Sequence, residues 1–150
     1  MSVEMTGARV LGVDLGSRRI GLAVSDPTGT IASPHSVITC SGDPAADRRR
    51  VAEVAAEVEA QLVVVGLPLS LSGRDGPASR AAREEATALG AATGLPVETA
   101  DERLTTVTAE RALVAGGVRR AARKERVDKV AAAVMLQSWL DGRPRSGAPR

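Results

Sequence analysis

Apolar residues change their spacing several times along the chain, and each change predicts an element. Residues 9–15 are short and apolar and predict a strand. Residues 16–19 make a turn and 20–25 a second strand, so the pair forms a hairpin. Asp26-Pro27-Thr28-Gly29 carries tight-turn chemistry, and 31–39 predicts a third strand. The period then becomes helical. Asp43-Pro44 reads as an N-cap with proline at the first helical position, and Val51, Val54, Val58 and Leu62 recur as one stripe, predicting a helix over 44–60. Leu62-Val63-Val64-Val65-Gly66-Leu67 is apolar on both faces, the pattern of a central parallel strand covered by helices. A loop over 70–77 leads into a helix ending near Gly90 or Gly94. A fifth strand follows over 95–100, then a short helix over 106–115 and a last helix over 125–140. The order βββαβαβαα describes an α/β fold with a five-stranded sheet of mixed direction.

Composition narrows what such a fold can do. The 150 residues fit one domain, over 1–141, with GRPRSGAPR at 142–150 expected to be a basic, disordered tail. Trp139 is the sole aromatic residue, so the core is built from Val, Leu, Ile and Ala, and an aromatic platform for single-stranded nucleic acid is excluded. No apolar run reaches the ~18–20 residues of a membrane span, and the N-terminus has no signal-peptide core. The single cysteine, Cys40, makes neither an intramolecular disulfide nor a zinc cluster. A cytoplasmic protein with no membrane partner is the expectation. Net charge is only +2, but its distribution is uneven: the successive thirds carry +1, −4 and +5. Arg119, Arg120, Arg123, Lys124 and Arg126 crowd into eight positions, which suits phosphate contacts; a solvated helix end or loop is the plainer alternative.

Carboxylates at the ends of elements carry the candidate chemistry. Strand alternation puts Asp14 on one face with Val10 and Gly12. An acid within an apolar central strand is costly unless compensated, as by a divalent cation; a turn-capping Asp is the alternative. Asp101-Glu102-Arg103 follows the fifth strand, where loops at strand carboxyl ends line the ligand crevice of a parallel α/β arrangement. Adjacent residues on extended backbone face opposite ways, so one of Asp101 and Glu102 reaches that crevice. Asp128 stands near the start of the last helix, where it also suits the helix dipole or a basic neighbour. Three acids from separated segments can hold two Mg²⁺ ions about 3.5–4 Å apart, which activate water and stabilise the leaving oxygen of a phosphodiester. Ligation by oxygen alone fits the lack of His and Cys clusters. His35 reads as a packed or surface residue of the third strand, Cys40 as a small buried hydrophobe and Trp139 as core.

These motifs together resemble the YqgF/RuvX family. The resemblance rests on Val13-Asp14-Leu15-Gly16-Ser17-Arg18-Arg19-Ile20-Gly21-Leu22-Ala23-Val24-Ser25-Asp26 and on Val64-Val65-Gly66-Leu67-Pro68-Leu69 with Gly73 to Pro77. Asp101-Glu102-Arg103-Leu104-Thr105-Thr106, and Asp128 with Ala131-Ala132 and Leu136-Gln137, complete it, and the blocks together cover 9–141. It implies an RNase H-like fold related to the Holliday junction resolvase RuvC, and a nuclease that matures the 5′ end of pre-16S rRNA. It implies metal-binding roles for Asp14, for the acid of the Asp101-Glu102 pair (Glu102 as ligand) and for Asp128, with two Mg²⁺ or Mn²⁺ ions. Arg18, Arg19, Arg103, Arg119, Arg120, Arg123 and Lys124 are the expected nucleic-acid contacts. The chain departs from the family pattern at Ser72, commonly Asp, and at Trp139, commonly Tyr. Two other functions share the fold: a DNA junction resolvase, and a non-catalytic RNA-binding ribosome-assembly factor. A monomer and a homodimer both remain open.

Overall fold

Strand β1 (Val10–Leu15) forms the middle of the sheet because its residues can be buried on both sides and both of its edges are paired. A computed structural model describes residues 8–16, 18–67, 76–101 and 120–142. In chain order, β1 is followed by β2 (Arg19–Ser25), β3 (Ala32–Thr39), α1 (Pro44–Glu57), β4 (Leu62–Leu67), α2 (Pro77–Thr93), β5 (Val97–Asp101) and α3 (Arg120–Gly142). The five strands lie in the order β3-β2-β1-β4-β5. The first three pair antiparallel, whereas β4 and β5 run parallel to β1, so the mixed sheet expected from the sequence is present. All six residues of β4 are buried, as its doubly apolar run requires.

Side-chain alternation sorts the core into two layers. Leu11, Val13, Ile20, Leu22, Ile38, Val63 and Val65 pack against Val51 and Ala55 of α1 and Ala86 and Leu89 of α2. Val10, Ala23, Leu62 and Val64 pack on the other face against Ala132, Met135, Leu136 and Leu140 of α3. At Gly12 an added Cβ would lie 3.0 Å from Leu136 Cβ and 3.3 Å from its Cδ2, so glycine lets α3 come down onto β1.

Element ends follow local chemistry. Asp43 caps α1 by accepting the Ala45 N–H (3.1 Å), with Pro44 in the first turn. That helix stops at Glu57 rather than at residue 60, because Glu59 takes a left-handed conformation (φ 57°) and turns the chain into β4. Gly94, not Gly90, ends α2, with φ 72° and its N–H donating to Gly90 O. In β3 the register slips between Leu22 and Ala23, so that His35 is the extra residue of a bulge beside Pro34 on the sheet edge.

Helix α3 begins earlier than its apolar stripe suggested, at Arg120 instead of residue 125. Residues Arg120 to Arg126 are good helix formers without an apolar face, so periodicity alone does not reveal them. Arg120, Arg123 and Lys124 therefore sit on the first turns of a helix rather than in a loop ahead of it, and Asp128 falls in the third turn. The predicted helix over 106–115 and the tail over 143–150 lie outside the described residues.

Candidate metal centre and nucleic-acid interface

Asp14 sits at the penultimate position of β1, half-buried, on the face that α3 covers two residues earlier at Gly12. Its surroundings are set by register. Across the antiparallel edge Asp14 pairs with Gly21. On the parallel side the last paired residues are Val13 and Val65, and one further step brings Gly66 level with Asp14. Gly66 in turn pairs with Ala100 of β5. Alternation gives all four residues the parity of Ala23, Val64 and Ala100, whose side chains belong to the α3 layer. Asp14 thus stands in a row reading Gly21, Asp14, Gly66, Ala100, in which no neighbour is larger than a methyl group. The carboxylate stands at the carboxyl ends of three parallel strands, where ligands of open α/β sheets bind.

The turn after β1 brings cations to the same end. Gly16 N–H donates to Arg19 O (2.9 Å), and a Cβ at Gly16 would approach that oxygen to 2.5 Å, so the tight turn requires glycine. Cys40 N–H donates to Arg18 O (2.8 Å) and ties the turn to the end of β3. Arg18 is exposed, and Arg19 is half-buried with the same parity as Gly21 and Asp14. Asp14 and Arg19 are each engaged by other groups of the protein.

The remaining predicted residues are placed by backbone or not at all. Asp101 ends β5, paired with Leu67. Asp128 lies within α3, four residues before Ala132 and eight before Leu136. Glu102, Arg103 and Arg119 lie outside the described residues, as does Ser72. Among the described residues no three His, Cys, Asp or Glu side chains gather into a metal cluster. His35 is half-buried at the bulge with Nδ1 2.8 Å from Ser36 Oγ, away from this row. Cys40 is only partly buried rather than a core residue; burial and the nearby Asp47 push its thiol pKa up. Trp139 packs against the α3 layer as expected.

A cavity of about 590 Å³ opens on the other side of the sheet, lined by Leu15, Ile20, Cys40, Asp47, Ala82 and Glu85. Its acids are occupied: Asp47 accepts from Ser41 N–H and Oγ–H (2.8 Å from the hydroxyl), and Glu85 pairs with Arg48 at 2.7 Å. The glycines of the Asp14 row were the signal that sequence reasoning missed. Glycine weakens a strand, so Gly12, Gly21 and Gly66 in three buried strands mark close approach or kept space.

The family model described as "RuvX: Holliday junction resolvase" matches residues 8–142. The chain belongs to the RuvX family. A RuvX relative from Pelotomaculum thermopropionicum, named "putative pre-16S rRNA nuclease", is 44% identical, with 93% of this chain and 92% of the relative covered. One from Anaeromyxobacter dehalogenans bears the same name and is 48% identical, with 90% and 98% covered. Among solved structures, T. thermophilus RuvC in complex with a Holliday junction substrate matches with a TM-score of 0.53 at 20% identity, covering 89% of this chain and 96% of that one. That likeness establishes the RNase H-like fold expected for RuvX. The RuvX match spans every described element, including the Asp14 row and α3.

Proposed function

We propose that the chain is a metal-dependent nuclease that hydrolyses phosphodiester bonds of structured nucleic acid, with the 5′ end of precursor 16S rRNA as its substrate. The observation that carries this reading is Asp14 set among Gly21, Gly66 and Ala100 at the carboxyl ends of parallel strands. The RuvX family and the names of relatives matched over nearly the whole chain supply the substrate class.

The donor chemistry fits a divalent cation of the Mg²⁺ or Mn²⁺ type. The proposed ligands are carboxylates only, the oxygen donors that such cations take. Asp14, Glu102 and Asp128 would hold the metal. Glu102 is preferred to Asp101 because its longer side chain has the greater reach. Bound metal supplies activation of the attacking water and charge stabilisation at the leaving oxygen. The protein's own share is to fix the carboxylates on rigid elements and to hold the backbone. Arg18 and Arg19 contact phosphates from the β1–β2 turn, Arg103 from the segment after β5 in sequence, Arg120, Arg123 and Lys124 from the first turns of α3, and Arg119 belongs to the same basic run. A guanidinium binds phosphate bidentately, and the helix N-terminus adds to the attraction. No helix among the described residues is long and apolar enough to cross a membrane, which accords with action on cytoplasmic RNA.

The family description and the RuvC likeness favour one second reading, cleavage of a four-way DNA junction. The test is cleavage of matched precursor rRNA and four-way junction by wild type and Asp14→Asn, with Mg²⁺ and with EDTA. The variant is expected to fold and bind nucleic acid but to lose cleavage of the RNA. Cleavage at the wild-type rate by folded Asp14→Asn overturns the metal assignment. Binding without any cleavage by wild type would leave an RNA-binding assembly factor.

A further inference from the structure

Helix α3 is held on the sheet by two unlike contacts at adjacent residues, and both lie well away from its acidic residue Asp128. The first sets its height. Leu136 is fully buried and rests on Gly12, where even one methyl group would stand 3.0 Å from Leu136 Cβ. The second sets its register. Gln137 Oε1 accepts the Ala32 N–H (2.8 Å), while Nε2 donates to Thr30 O (2.9 Å) and to Asp141 Oδ1 (3.0 Å). The loop it grips is itself braced, because Asp26 Oδ1 accepts the N–H groups of Thr30 (2.8 Å) and Ile31 (2.9 Å). An amide that both accepts and donates across the joint resists sliding in either direction along the helix axis.

We infer that Gly12 and Gln137 are positioning residues for the metal centre: together they fix the separation of Asp128 from Asp14. The inference rests on the metal-centre reading of the proposed function. Asp14 is two residues from Gly12 on a rigid strand, and Asp128 is two helical turns, roughly 12 Å, from Leu136. Displacement at the seat is therefore carried along a continuous helix to the acid. The scales are comparable: relief of the 3.0 Å contact requires a shift of a few tenths of an ångström, and metal–ligand distances fall within about 0.2 Å of their usual values.

The test compares Gly12→Ala, Gly12→Val and Gln137→Leu with Leu140→Ala, which removes buried volume from the same α3 layer without pushing on the helix. Mn²⁺ affinity is read from the free-ion EPR signal, Mg²⁺ affinity from calorimetry, and stability from melting in EDTA. Gly12→Val and Gln137→Leu should weaken Mn²⁺ binding by roughly tenfold or more, the scale seen when a metal ligand is no longer held in place by its neighbours, with Gly12→Ala intermediate. Leu140→Ala should melt earlier yet keep the wild-type metal affinity. Wild-type affinity in folded Gly12→Ala and Gln137→Leu overturns the inference, as does an equal loss in Leu140→Ala. An Asp14→Asn arm separates the two levels: wild-type Mn²⁺ binding that survives this change means the metal reading itself has failed, and the positioning role falls with it.

Discussion

Asp14 stands in a cross-strand row whose other members, Gly21, Gly66 and Ala100, have almost no side chain. Gly66 is level with Asp14 on the neighbouring strand and has its parity, so a branched side chain there would occupy the space beside the carboxylate. Gly66→Val, with better strand propensity than glycine, should leave the protein folded while abolishing Mn²⁺ binding and cleavage. Titration of the folded variant by EPR checks this, and intact metal binding would show that the row is not the ion's floor. Asp26 illustrates a different use of a carboxylate. Hydrogen bonds from Ile31 N–H, the Thr28 hydroxyl and Thr30 N–H hold its pKa at about 2, below the ordinary 3.8. A depressed pKa stabilises the fold above the unfolded value and loses that contribution as pH falls from about 4 toward 2. Wild type should thus melt higher than Asp26→Asn at pH 7, and the gap should close by pH 2. Asp14 and Asp26 lie in one family signature, yet only structure separates their tasks. The sequence shows two acids beside strands; it does not show that one accepts three local donors and the other stands in a row of glycines and alanine.

Among the elements, α3 shows most clearly how far a sequence can be read. Its apolar stripe from Ala132 to Leu140 was legible, because burial on one face imposes the helical period. Its first turns were not, because their sequence carries no apolar stripe, and a run of charged residues looks alike in helix and loop. The difference matters for the basic cluster, because Arg120, Arg123, Lys124 and Arg126 belong to the helix. Arg120, Arg123 and Lys124 lie ahead of Asp128 on the same element, so a phosphate backbone held by them is led toward the proposed centre. Changing all three to Ala keeps helix propensity and removes only charge. Binding of RNA and DNA should weaken alike, and the slope of log K against log salt should fall by about 0.7–0.9 for each phosphate that is no longer neutralised. Cleavage at saturating substrate should be largely retained. Titrations at several salt concentrations decide the matter, since an unchanged slope would make these residues surface charge alone.

At the scale of the whole molecule, the strand sequence and the mixed sheet were legible because each strand obeys a simple rule. β4 is apolar on both faces and central, while β3 carries Pro34 and polar residues and lies at the edge. What the sequence left open is how many chains act together, and the two substrate readings differ there. A four-way junction is resolved by two matched incisions, and one chain brings one Asp14 row, so junction resolution calls for a two-fold pair of chains. A single cut near the 5′ end of a precursor RNA needs one row only. If precursor rRNA is the substrate, initial cleavage rates under single-turnover conditions should rise in proportion to protein concentration before saturation, and sedimentation should show one chain on each RNA. On the junction, any paired incision should depend on the square of protein concentration until a dimer fills the substrate. The two measurements use the same protein and the same metal, so they compare substrates rather than preparations. Second-order dependence with RNA, together with faster paired cutting of the junction, would move the function from ribosomal RNA to branched DNA while leaving the Asp14 chemistry unchanged.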